Sequence, residues 1–121
     1  MLRFVVAGLN KDKLAKTVAA AGGNRVSVQA LSDIEAALQV KNGQADYYMG
    51  ACNTGGGAAL SMAIGILTFG KCATITKNGE RPNQDIIKGH IQDGVVAFGM
   101  TVDSIDETAR CIVNVLLERQ E

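Results

Sequence analysis

Short apolar runs rich in β-branched residues alternate along the chain with longer stretches in which apolar residues recur at helical spacing, and glycine, asparagine or serine marks most of the junctions. Phe4-Val5-Val6-Ala7 reads as a strand ending at Gly8. Lys11 to Ala21 has the helical period and is closed by Gly22-Gly23, residues free to take the left-handed conformation of a helix C-cap. Val26 to Leu31 is a second strand. Ser32 then predicts the cap of a helix from Asp33 to about Val40, because Glu35 stands three residues on, where a capping box needs it. Asn42-Gly43 closes that helix. Tyr47 to Ala51 reads as the third strand, the apolar run after Gly57 as the third helix, and Cys72 to Thr76 as the fourth strand. Pro82 marks the start of a fourth helix to about Ile91. Val95 to Met100 is the fifth strand, and Ser104-Ile105-Asp106-Glu107 predicts a capping box opening a last helix through Leu117.

Strands that are apolar throughout have no wet face, so their alternation with helices predicts a parallel sheet covered on both sides. The expected architecture is a single three-layer α/β domain over residues 1–121, Rossmann- or flavodoxin-like, with five parallel strands in the order 2-1-3-4-5. In open parallel sheets the ligand lies beyond the carboxyl ends of the strands, where the strand order reverses. Five loops occupy that edge: Gly8 to Lys11, Ser32-Asp33, Cys52 to Gly57, Thr76 to Arg81, and Thr101 to Asp103. In the expected order the first and third flank the reversal.

The bulk properties narrow the classes of function. A chain of 121 residues supports one core. Twelve basic and twelve acidic residues cancel, so the basic surface of a nucleic-acid binder is missing and no nucleic-acid partner is expected. Cys52, Cys72 and Cys111 match neither a disulfide framework nor paired metal-ligand spacing and suit a reducing compartment. The N-terminal apolar stretch is too short for a signal-peptide core, and the longest one, Gly55 to Gly70, falls short of the ~20 residues needed to span a bilayer. These features predict a cytoplasmic protein with no membrane insertion, no bound metal and no cofactor.

The candidate chemistry centres on Cys52-Asn53-Thr54 followed by Gly55-Gly56-Gly57. A strand that turns directly into a helix leaves unpaired backbone N–H groups at the helix start, and residues lacking Cβ let an anion approach them. Gly55, Gly56, Gly57 and Ala58 thus form the expected cradle, with Gly8, Asn10 and Asn53 around it and Lys77 and Arg81 as a cationic clamp. A tight turn and close helix packing would also account for a glycine or two. The partial positive charge of a helix start favours a thiolate at Cys52, which could then serve as base or nucleophile. Cysteine is equally a small buried hydrophobe, and Cys72 and Cys111 read as core in that sense. The third helix is apolar nearly all round, with Ser61 its one polar residue between Ala58 and Leu67, which predicts burial of that helix at or beside a homodimer interface.

The stretch "CNTGGGAALSMA" resembles the Cys-Gly-Thr-Gly-x-Gly loop and following helix of type B ribose-5-phosphate isomerases and their galactose-6-phosphate isomerase relatives. "HIQDGVVAFG" and "ETARCIVNVLLE" align with the histidine segment and last helix of that family, so the resemblance covers about the C-terminal two thirds. It implies Cys52 as catalytic base, Thr54, Gly55 and Gly57 on substrate, and His90 assisting ring opening. Periodicity alone sets His90 late in the fourth helix, away from the mouth, so it could join Cys52 only across a subunit boundary. The first loop, Gly8-Leu9-Asn10-Lys11-Asp12, departs from that family's Ser-Asp-His-Ala-Gly. By length and by "GACNTGGGAALSMAIG" the whole chain is more similar to the YhfU-like bacterial domain of unknown function. The leading expectation is a binding protein for a phosphorylated sugar-like or other anionic metabolite. A sugar-phosphate isomerase with Cys52 as base is the alternative, and a phosphotransferase-type component with Cys52 as phosphoacceptor a further one.

Overall fold

Every apolar run read as a strand forms one, and all of them pair in parallel. The computed structural model describes residues 1–54 and 60–120. The strands are β1 (Leu2–Gly8), β2 (Val26–Ala30), β3 (Tyr47–Cys52), β4 (Cys72–Thr74) and β5 (Ala97–Thr101). They alternate with α1 (Lys11–Gly22), α2 (Asp33–Lys41), α3 (Ser61–Leu67), α4 (Gln84–Gln92) and α5 (Ile105–Gln120).

The strand order is β2-β1-β3-β5-β4, not the expected 2-1-3-4-5. Burial explains the exchange. All five positions of β5 are buried, whereas β4 is three residues long and only half-buried throughout, so the more completely apolar strand takes the interior and the shorter one the edge. Because β5 returns inward past β4, a right-handed crossover carries α4 to the face opposite α3. The core divides accordingly. Leu14 and Val18 of α1, Ile87 and Ile91 of α4, and Ile112 and Leu116 of α5 pack on Phe4, Met49 and Phe98. On the other face Ala36 and Ala37 of α2, with Leu60 and Ala63, cover Val5, Tyr48 and Ala97.

Local signals set most of the boundaries. Gly23 ends α1 with φ 56° and its N–H donates to the Ala19 carbonyl. Ser32 Oγ accepts from the Glu35 N–H at 3.2 Å, the first half of the expected capping box, while the Glu35 carboxylate accepts from the Ser32 hydroxyl at 2.9 Å in place of the Ser32 backbone N–H. α4 begins at Gln84, two residues after Pro82, and its cap is Asn83, whose Oδ1 accepts from the N–H groups of Asp85 at 2.9 Å and Ile86 at 3.1 Å. The second expected capping box does not form. Residues Val102–Ser104 make a 3₁₀ turn, and the Ser104 hydroxyl bonds Thr76, Thr101 and Thr108 instead of the Glu107 N–H. Glu107 pairs with Arg81 at 3.6 Å. Among the described residues no helix is long and apolar enough to cross a membrane.

Candidate functional site

At the carboxyl edge of the sheet, β1 and β3 lie side by side with Gly8 opposite Ala51 in register, and the chain leaves them toward opposite sides of the sheet. The reversal expected between the first and third loops is therefore present. Gly8 has φ +86°, and a Cβ there would stand 3.1 Å from the Ala51 nitrogen and closer still to its carbonyl oxygen. The Leu9 N–H donates to that carbonyl at 3.0 Å. Only glycine permits this approach, and it ties the end of β1 to the residue before Cys52. Asn10 follows at φ 54° as the N-cap of α1, and its side chain makes no cap hydrogen bond.

The turn at Gly8 opens one wall of a groove of about 420 Å³, lined also by Lys11, Leu31, Ser32, Asp33, Ile34 and Met62. Lys11 is half-buried there, and its Nζ donates to the Leu31 carbonyl at 3.4 Å. The local sequence explains the groove: β1 runs two residues past the end of β2 in register, and α1 and α2 leave the edge on opposite faces, so their first turns diverge. Sequence reasoning placed the loops that contain Lys11, Ser32 and Asp33 at this edge but did not single the three out as ligand-binding residues. The signal was available, since Lys11 stands three positions after the strand-ending Gly8.

Cys52 ends β3 and pairs in register with Thr101 of β5. Alternation along parallel strands sets the two side chains on one face, the face on which Tyr48 and Ala97 meet Leu60 and Ala63. Cys52 is buried, and its sulfur lies 4.0 Å from the hydroxyl of the exposed Thr54. Asn53 is exposed. Gly55, Gly56, Gly57 and Ala58, the expected cradle, lie outside the described residues.

Beyond Thr101 the edge carries a cluster of hydroxyls. Ser104 Oγ lies 2.8 Å from Thr101 Oγ1 and 2.9 Å from Thr76 Oγ1, and Thr76 and Thr108 are 3.2 Å apart. Thr76, Thr101 and Thr108 are fully buried, so each hydroxyl must find a partner, and together they do. They fasten the loop after β4 to β5 and to the first turn of α5.

The revised strand order moves the clamp candidates. β5 stands between β3 and β4, so Lys77 and Arg81 follow the outermost strand rather than the neighbour of Cys52. The Lys77 N–H donates to Glu80 Oε1 at 2.7 Å, and Arg81 reaches Glu107 on α5. His90 is half-buried in the last turn of α4, and its carbonyl accepts from Val95, two residues before β5 begins. It is therefore at the amino edge of the sheet, opposite Cys52, as its periodicity predicts. Cys72 and Cys111 are half-buried, and burial pushes both thiols up from the ordinary value. Among the described residues no group of three or more His, Cys, Asp and Glu side chains is placed to hold a metal ion.

Fold and edge together define a small, Rossmann-like α/β domain with its loops gathered at the reversal of a parallel sheet. Within that class the chain belongs to the family described as "Protein of unknown function DUF2620", which it matches over residues 2–116. It is 41% identical over 114 residues to "Uncharacterized protein YhfU" of Escherichia coli strain K12, an alignment covering 94% of this chain and 97% of the relative. The same identity and coverage hold for "Uncharacterized protein YhfU" of Shigella flexneri.

Proposed function

We propose that this protein binds a phosphorylated sugar-like or other anionic small metabolite at the carboxyl edge of its sheet, in the cytoplasm and as a homodimer. The observation that carries the reading is the groove beside Gly8. Backbone close approach there draws the ends of β1 and β3 together, and Lys11 supplies a cation to a concave surface on the carboxyl edge, the edge on which this class of sheet takes its ligands. The loop from Cys52 to Gly57 starts one residue beyond the Gly8–Ala51 contact and would add backbone donors to the same anion. Exposed Met62 and half-buried Ile64, Ile66 and Leu67 support α3 as part of a subunit interface.

A thermal-stability screen with phosphorylated sugars and small organic acids tests the reading. A ligand at 100 times its dissociation constant adds ~2.7 kcal/mol, a readily measured rise in midpoint. Lys11→Met should reduce that rise while leaving the unliganded midpoint nearly unchanged. No shift with any compound at millimolar concentration, together with silent calorimetry, would overturn it.

A second reading, a sugar-phosphate isomerase with Cys52 as base, is favoured by one feature: Cys52 stands at the end of β3 beside Thr54 and opposite Thr101. Its test is solvent exchange of the proton next to the substrate carbonyl. Cys52→Ala should abolish exchange and spare binding. His90 could contribute to this chemistry only from another subunit, because within one chain it is on the opposite edge.

A further inference from the structure

The outward stripe of α2 has a charge order that matters for its partner. Ala36 and Ala37 face inward, fully buried, while Ile34 and Leu38, four residues apart, are 50% and 40% exposed. Exposed Lys41 continues the same stripe. Across the groove Met62 of α3 is 40% exposed, so the apolar surface extends over two helices. Acidic Asp33 and Glu35 occupy the first turn of α2 and basic Lys41 the last.

We infer that two copies of this chain associate through α2, antiparallel about a two-fold axis near Leu38, so that the partner's helix walls the open side of the groove. An isologous contact repeats one patch on both subunits, so the patch must complement itself. Antiparallel α2 does so: Leu38 meets Leu38 of the partner subunit, and Ile34 lies under the methylene stem of the partner's Lys41. The ammonium of that lysine then reaches the Glu35 carboxylate, which falls opposite position 41 when the two-fold axis passes near Leu38. A parallel arrangement would stack carboxylate on carboxylate and lysine on lysine. The inference deepens the homodimer part of the proposed function and rests on it. It moves the centre of the interface from α3 to α2 and makes the groove a shared feature, because Ile34 and Met62 line the groove as well as the apolar patch.

Sedimentation or light scattering of the full chain without any metabolite, at about 10 μM, tests it. The unmodified protein should be dimeric, and Leu38→Asp should raise the dimer dissociation constant at least tenfold with an unchanged far-ultraviolet spectrum. Lys41→Glu and Glu35→Lys should each weaken association severalfold, and the double reversal Glu35→Lys/Lys41→Glu should restore most of it. The rescue also decides the matter if Leu38→Asp compromises folding. A dimer that survives Leu38→Asp but dissociates on Met62→Glu would overturn the antiparallel α2 interface and leave the homodimer standing. A monomer at this concentration would overturn both, and a double variant no tighter than the single ones would overturn the charge register. Metabolite binding is measured apart, in the thermal screen, so its failure is distinguishable from all of these.

Discussion

Gly8 is the residue on which the candidate site turns. A side chain there would meet the backbone of Ala51 and would also demand a left-handed conformation that L-residues resist. Gly8→Ala should therefore cost about 2 kcal/mol or more in chemical denaturation and should weaken metabolite binding as well, since the two loops would be pushed apart. A second residue effect belongs to the entrance of β3. Asp46 accepts from the Arg3 N–H at 2.8 Å and from its guanidinium at 2.9 and 3.2 Å, and those bonds hold the Asp46 carboxyl below the ordinary carboxylate range. Because the folded value is lowered, the stabilisation is present above the unfolded value of ~3.9 and is lost as pH falls through the folded one. Asp46→Asn should thus lose a little stability at pH 7, and the gap to the unmodified protein should close in acid titrations below about pH 4. For Cys72 and Cys111 the sign is opposite: burial raises both thiols, so labelling of these two should be slow at neutral pH and accelerate only in alkaline solution, as peptide mapping of an alkylated sample would show.

At the scale of elements, helix ends and hydroxyl ties carry the predictions. Asn83 supplies two bonds to the start of α4, so Asn83→Ala should cost about 1 kcal/mol, while Pro82→Ala should have a smaller effect. Ser104→Ala removes the hydroxyl shared by Thr76, Thr101 and Thr108. About 1–3 kcal/mol is expected, because Thr101 would keep no side-chain partner inside a buried site. Thermal and denaturant midpoints of the two variants check both values. Element identity was legible in the chain, since each strand is a short run rich in apolar and β-branched residues and each helix has a period and an ending. The partner of Ser104 was not legible. Thr76 and Ser104 are 28 residues apart in numbering and meet only because β4 and β5 are neighbours. The edge position of β4 had a cue that pattern-reading passed over: Thr74 and Thr76 alternate with Ala73 and Ile75, whereas the run from Val95 to Gly99 has no polar side chain.

For the molecule as a whole, burial is concentrated in β1, β3 and β5, whose amides should exchange most slowly with deuterated solvent, with β4 clearly faster. Equal protection of β4 and β5 would contradict the strand order. The reversal between β1 and β3 was legible from the sequence as a place, because alternating strands and helices order the sheet, but the groove of the candidate site opens beside it, between the ends of β1 and β2. Its lining was less legible, since Lys11, Ser32 and Asp33 converge only when two helices leave that edge on opposite faces. The insertion of β5 between β3 and β4 also orders events during synthesis. β4 pairs with β5 alone, so a nascent chain that has emerged only as far as α4 can assemble β2, β1 and β3 while β4 waits without a neighbour. The sheet can be completed only after residues 97–101 leave the ribosome and slot in beside a strand made about fifty residues earlier. Translation stalled before that point should leave a three-stranded intermediate in which β3, interior in the finished sheet, is a bare edge, the kind of edge that chaperones bind and other chains extend.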